Sequence, residues 1–364
     1  MKRSLVDTTR TWNALRFALL GAASSLALAS VSSATPFVCD DDLANQNFTC
    51  GSAANTLGGK NATAVGDQAS ASAADATAVG HNSLADPSGT AVGAFVAAGS
   101  NSAAFGSHAS AINDGATAIG AKTSADGASG NATAVGFSAT AGISTGTAGT
   151  TAIGANAQAG STGASQTNAT AVGDSAQANA ANATVVGQNA QANAVSGTAV
   201  GQGAQARTRA TAVGQGAFAS TDSSAFGQNS SAVQGATAIG ISAQAGAIGA
   251  TALGDNANAG GSIFNTGTTA LGNSAQAGTT GAGQTNATAV GDSARANVAN
   301  ATAVGQAALA NSFGASAFGQ GAQANATDAT AVGQIARAGD SATSAFGHGA
   351  VASGTFSSAL GAES

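Results

Sequence analysis

The chain has 364 residues, of which 52 are glycine, 7% are charged and 4% are aromatic, with no tyrosine. Such a chain has too few large side chains for an ordinary globular core. A net charge of −6, with no basic cluster beyond Arg207 and Arg209, excludes the electrostatic footprint of a nucleic-acid partner or an anionic membrane surface.

Residues 1–34 carry Lys2, Arg3, Arg10 and Arg16, followed by an uncharged stretch from Phe17 to Ala34 rich in Ala, Leu and Ser. That order predicts a cleaved export signal, with small residues at Ala27 and Ala29 or at Ser32 and Ala34 as cleavage sites. An uncleaved membrane anchor is the alternative, disfavoured because the second half is serine-rich and weakly apolar. No strongly apolar run follows residue 35, so no membrane span is expected in the mature chain.

Residues 35–56 form an N-terminal segment that lacks the pattern of the rest and holds both cysteines, Cys39 and Cys50. In an exported chain, two cysteines eleven positions apart most simply close one local disulfide. The neighbouring Asp40, Asp41 and Asp42 lack the histidine or second cysteine pair of a metal site and read as a solvated acidic turn.

From 57 to 364 one tetrapeptide recurs, Thr/Ser-Ala/Val-Val/Ile/Leu/Phe-Gly, whose closing glycine falls at 21 positions from Gly66 to Gly361. Most intervals are 13 or 14 residues, with one of 16, two of 18 and two of 19. A fixed short period marks stacked units that touch only their neighbours, and periodic aliphatics set the chain apart from disordered glycine-rich sequence. In Asn61–Gly66 the alternation puts Thr63 and Val65 on one face and Ala62 and Ala64 on the other; period two means strand, and β-branched residues with glycine exclude a helix. After each glycine come two turn residues, then a second alternation such as Ala176, Ala178 and Ala180.

The expected fold is therefore all-β: a parallel β-solenoid of about 21 coils of 13–19 residues, two short strands and two corners to a coil. At ~4.8 Å per coil the stack is roughly 100 Å long. The aliphatic position is expected to form the core: Val65, Val79, Val92, Ile119, Val135, Ile153, Val172, Val186, Val200, Val213, Ile239, Leu253, Leu271, Val290, Val304 and Val332. Phe105, Phe226, Phe318 and Phe346 take the same place as core plugs, and Thr63 with its equivalents shares that buried face. The opposite face would expose an alanine-rich ribbon that another surface covers. Thr150–Gln188 is nearly restated as Thr268–Gln306, 118 residues on, a duplication that carries the long intervals with it as loop insertions outside the stack.

Chemistry has little to stand on. His81, His108 and His348 are far apart and non-equivalent, reading as exposed turn residues, and no catalytic site, cofactor or metal is expected. Asp174, Asp255 and Asp292 each follow a motif glycine, but equivalent positions hold Gln, Ala or Asn, so a capping turn outweighs a calcium ladder. The Asn-Ala-Thr triplets match glycosylation acceptors only because they belong to the repeat.

The repeat resembles the head of the trimeric autotransporter adhesins, the YadA-like family, whose motif is similar to Asn-Ser-Val-Ala-Ile-Gly. Copies starting at Asn61, Asn131, Asn168, Asn182, Asn286 and Asn300 match it with Ala for Ser, Thr for Val and mostly Val for Ile. The resemblance implies a left-handed β-roll, a homotrimer, and display outside a Gram-negative bacterium or secretion, as a non-enzymatic head that sticks to host extracellular matrix or another surface. It departs from the family after Ser364, where neither a heptad stalk nor barrel strands follow; a fragment, a released head and a borrowed anchor are the alternatives. The competing functional class is an exported solenoid that binds ice or acts as a spacer, which an exposed threonine ladder would favour.

Overall fold

The computed structural model describes residues 39–364 apart from 128–129, 143–145, 162 and 164. The leader expected over 1–34 lies outside the described residues. The chain begins with an antiparallel hairpin, β1 (Cys39–Asp42) on β2 (Asn47–Cys50), whose end pair Cys39 and Cys50 is joined in a disulfide. Asp42 closes the turn: its carboxylate accepts the side-chain amide of Asn45 at 2.8 Å and the backbone N–H of Ala44 at 3.1 Å. The acidic triplet is thus an edge strand running into its turn rather than a turn alone. Charge on an edge strand discourages pairing with another chain.

β2 also pairs in parallel with β3 (Thr63–Val65), Phe48 on Thr63, Thr49 on Ala64 and Cys50 on Val65. Phe48–Gly51 therefore forms an additional coil, with Cys50 in the aliphatic position and Gly51 as its glycine. The segment 35–56 is accordingly divided, its second half belonging to the stack. Signal for this coil exists in the sequence as Phe-Thr-Cys-Gly, too far from the consensus to be counted.

From β3 onward every coil repeats one plan: a three-residue strand, a corner, a two-residue strand such as β4 (Ser70–Ala71), and a second corner. The three-residue strands, Thr on Thr, Ala on Ala and Val on Val, continue in parallel register to Ser358–Leu360. They build one sheet of 23 strands, β1 plus one from each of 22 coils. The two-residue strands make the opposite wall, carried across Gln177, Gln191 and Gln205 by single bridges. The protein is a parallel β-solenoid, and no helix occurs among the described residues.

The interior is alanine. In the coil of Asn168 to Ala181, Ala169, Ala171, Ala176 and Ala178 are fully buried, two from each wall, and the same four places are filled by alanine along the stack. A turn of 13 or 14 residues encloses too narrow a section for branched side chains from both walls. Val96 and Val185 are the larger exceptions, each the one interior valine of its coil. Where Ser or Thr replaces alanine, its hydroxyl returns to nearby backbone: Ser102 to Gly99 O at 2.6 Å, Thr343 to Asp340 O at 2.6 Å, Thr123 to Gly136 O at 2.6 Å. Thr150 and Thr268, each following a long insertion, are buried without such a partner.

The expected core is thereby corrected. Val65, Val79, Val92, Val135, Val172, Val200, Val213, Val290, Val304 and Val332 are only half-buried, and Val186, Ile119, Ile153, Ile239, Leu253 and Leu271 are exposed. Phe105, Phe226, Phe318 and Phe346 are exposed as well, so they are not core plugs. The alternation holds, but hydrophobicity does not choose its inner face: the section of the coil admits the smaller side chain and turns the larger one out. Thr63 and the equivalent threonines share that outer face and are half-buried, except Thr251, which is exposed.

Both corners use left-handed backbone, at Asn168 (φ 56°) and Ser175 (φ 56°) in one coil. Asparagine tolerates this conformation better than most residues, which accounts for its place at the head of the motif. The motif glycine has a stronger reason. Gly173 lies at φ 134°, and a Cβ there would stand 2.6 Å from the carbonyl oxygen of Gly187 in the next coil. Gly173→Ala is expected to destabilise the stack locally by about 2 to 5 kcal/mol, from backbone strain plus the clash. Amide hydrogen exchange should quicken first around Gly173 and Gly187; an unaltered exchange pattern would show that the coils can separate to admit a methyl.

Candidate interaction surfaces

The solenoid presents two unlike walls. On the outside of the three-residue sheet, the aliphatic positions stack directly over one another: Val92 beside Phe105, Phe105 beside Ile119, Ile119 beside Val135. The column continues through Val213, Phe226, Ile239 and Leu253 and is flanked by a parallel column of threonines, Thr63 beside Thr77 beside Thr90. Phe105 is 38% exposed, Ile119 43% and Leu253 40%, so the column is a continuous apolar ridge over the length of the stack. Soluble monomers rarely expose an apolar surface of that extent.

The opposite wall is polar. Gln158, Gln177, Gln191 and Gln205 follow one another, and Gln244, Asn258, Gln276, Arg295, Gln323 and Arg337 occupy the same outward position farther along. The contrast arises because the two-residue strand spends its one interior position on alanine and its outward one mostly on an amide, a hydroxyl or a cation, with Leu84, Ala97, Phe218, Leu309 and Val351 as apolar interruptions.

The corner after each glycine carries side-chain ladders. Gln202 donates to Gln188 at 3.1 Å, Gln215 to Gln202 at 3.0 Å and Gln228 to Gln215 at 3.0 Å, and a second run links Gln334 to Gln320 and Gln320 to Gln306, each at 2.8 Å. Asp174 ends the first run, accepting from Gln188 at 3.5 Å, and Asp292 accepts the hydroxyl of Ser293 at 2.8 Å. Asp174 is thus bonded to the corner of the next coil and Asp292 within its own. No group of three or more His, Cys, Asp or Glu able to hold a metal occurs among the described residues. The asparagine corner has its own ladder, Asn61 to Asp75 at 2.9 Å and Asn286 to Asn300 at 3.3 Å.

Two of the three histidines, separate in the sequence, are brought together. Phe95 lies between His81 and His108 in successive coils, its ring centroid 5.1 Å from each, and His81 Nδ1 is 3.3 Å from Asp67 Oδ2. The 13-residue spacing of the adjoining glycines would have revealed this, since it stacks the first corner residue of one coil near the second of the next. His348 stands apart, in a far coil. Cys39 and Cys50 sit at the N-terminal hairpin, away from these corners.

On the other corner, Arg209 grips Asp222 of the next coil through two hydrogen bonds, Nε to Oδ1 at 2.6 Å and an Nη to Oδ2 at 2.7 Å. Arg295 and Arg337 stand on the polar wall without joining either described ion pair. No helix among the described residues is long and apolar enough to cross a membrane.

A family model described as the YadA head domain repeat, in two copies, matches residues 58–83, 164–190, 180–204, 234–257, 282–308, 310–334 and 342–364. No curated protein matches the chain.

The Asp222 carboxyl is held below the ordinary carboxylate value, first by the hydrogen bonds from Arg209 and then by that residue's charge. A depressed folded-state value means that the pair's small contribution is present above the ordinary carboxylate pKa and lost as pH falls through the folded value. Carboxyl NMR titration should show Asp222 protonating at lower pH than an isolated aspartate, and Arg209→Gln should return it to the usual range.

Proposed function

Since this chain is a YadA-like head-repeat protein, we propose that it works as the adhesive head of a bacterial surface or secreted protein, three chains packed side by side. The observation that carries the reading is the apolar ridge of Phe105, Ile119, Ile153, Ile239 and Leu253 with its in-register neighbours, which a second and third copy would cover. Burying like ridges against one another leaves the other wall outward, where runs of coils such as those of Gln158, Gln177, Gln191 and Gln205 repeat the same polar group. Contacts repeated coil by coil give attachment strength through multivalency rather than through one deep site. The target is a host matrix or other extended surface, and no enzymatic chemistry is assigned to any residue.

The trimer is tested by light scattering on the full chain. The expected mass is that of three chains; Val186→Lys, Val200→Lys and Val213→Lys combined, all on the outer face, should reduce it to one chain with an unchanged β-type circular dichroism spectrum. A wild-type monomer would overturn the assembly.

One observation favours a second reading. The outward threonine column, with Thr63, Thr77 and Thr90 in register and Thr117 and Thr133 resuming it after Ala103, each half-buried beside an aliphatic, is a repeating array of the kind an ice-binding solenoid would present. Thermal hysteresis in a freezing assay would support it and displace adhesion as the primary role.

A further inference from the structure

We infer that the groove around Arg207 is a binding site for an acidic saccharide, a carboxylated or sulfated sugar of one or two rings. The inference concerns one protomer's polar wall and does not depend on trimer formation.

The groove, about 400 Å³, opens on the wall opposite the apolar ridge. It arises from a change in coil length. The corner from Asn193 to Gly197 has five residues between strand positions, whereas those from Arg207 to Ala210 and from Ser220 to Ser223 have four, and the groove is lined from all three. Gln191, Asn193, Gln205, Arg207, Thr208 and Phe218 line it. Its volume falls within the usual range for small-ligand sites.

The chemistry of the lining narrows the ligand. The Arg207 guanidinium lies 5.4 Å over the centroid of the Phe218 ring, which orients a side chain that would otherwise sweep through solvent. Neither described ion pair includes Arg207, whereas its neighbour Arg209 is engaged by Asp222. The groove thus offers one oriented, uncompensated cation in a chain of net charge −6. Planar guanidinium recognises a carboxylate or sulfate through paired hydrogen bonds. Around it stand amides and a hydroxyl, groups that both donate and accept and so match the hydroxyls of a sugar.

Other ligand classes fit less well. A nucleic acid would require several cations along the groove, and only one is present. A peptide adding itself as a strand would need a free sheet edge, but the backbone here is already paired on both sides, Gln205 with Gln191 and with Phe218.

The test is calorimetric titration of the full chain with 3′-sialyllactose, a sulfated heparin disaccharide, lactose and a glutamate hexapeptide. Either acidic sugar is expected to bind at least tenfold more tightly than lactose, the sialylated one marking the carboxylate and the heparin one the sulfate. Arg207→Gln should lower that affinity at least tenfold. Arg337→Gln, which removes the same charge farther along the same wall, should leave it unchanged, and circular dichroism reports that both variants fold. Binding of neither acidic sugar, equal binding of lactose, preference for the peptide, or undiminished binding by Arg207→Gln would each overturn the site. Because the probes are soluble and the stoichiometry is counted per chain, a negative result here leaves the trimer measurement untouched, and the reverse holds as well.

Discussion

The close approach of successive motif glycines sets the terms for the rest of the molecule. Parallel strands stack at about 4.8 Å, and at the point where the three-residue strand enters its corner the backbone of one coil comes to rest on the backbone of the next. Gly66 illustrates the constraint: a Cβ on it would stand 2.5 Å from the carbonyl oxygen of Gly80, and its φ of 129° belongs to a region essentially reserved for glycine. The residue is required by the neighbour above as much as by its own turn. A glycine at this point in every coil therefore keeps the stack in register from Gly51 to Gly361.

Register at that spine propagates outward. It brings alanine over alanine in the interior, threonine over threonine and aliphatic over aliphatic on one wall, and glutamine over glutamine at the corner. The interior contributes little per coil, since an alanine methyl is the smallest apolar side chain there is, so no coil is expected to stand without neighbours. Ladder hydrogen bonds and the amide runs from Gln188 to Gln228 extend the same dependence along the surface. The hairpin of Cys39–Cys50 closes one end of the array with a charged edge strand, which leaves its first coil paired on both sides.

Variation is admitted only where the spine is not disturbed. The long intervals of 18 and 19 residues fall in the corner that precedes the three-residue strand, away from the glycine. There they carry their own anchors: Asn265 is fully buried, donates to Gly278 O at 2.6 Å and Gly281 O at 2.7 Å, and accepts from the backbone of Gln284 at 3.0 Å. One insertion thereby holds the next. A smaller change at the same corner, from five residues to four, is enough to open the groove at Arg207.

The sequence alone determined the period, the number of glycine-closed units but one, the strand alternation and the all-β solenoid, because each rests on local rules: spacing, side-chain direction in a strand, and backbone freedom at glycine. It also placed Thr63 with Val65 and Ala62 with Ala64 on opposite faces. Which of those faces lies inside was not legible, since alternation is symmetric and hydrophobicity pointed to the valine. Closure of a coil within 13 or 14 residues decided it, by leaving room for alanine and only the occasional Ser, Thr or single valine. The groove lined by Asn193 and Arg207 likewise appears only in three dimensions, because it depends on which residues of neighbouring coils are set against one another, whereas the meeting of His81, Phe95 and His108 follows from the 13-residue steps between Gly80, Gly93 and Gly106.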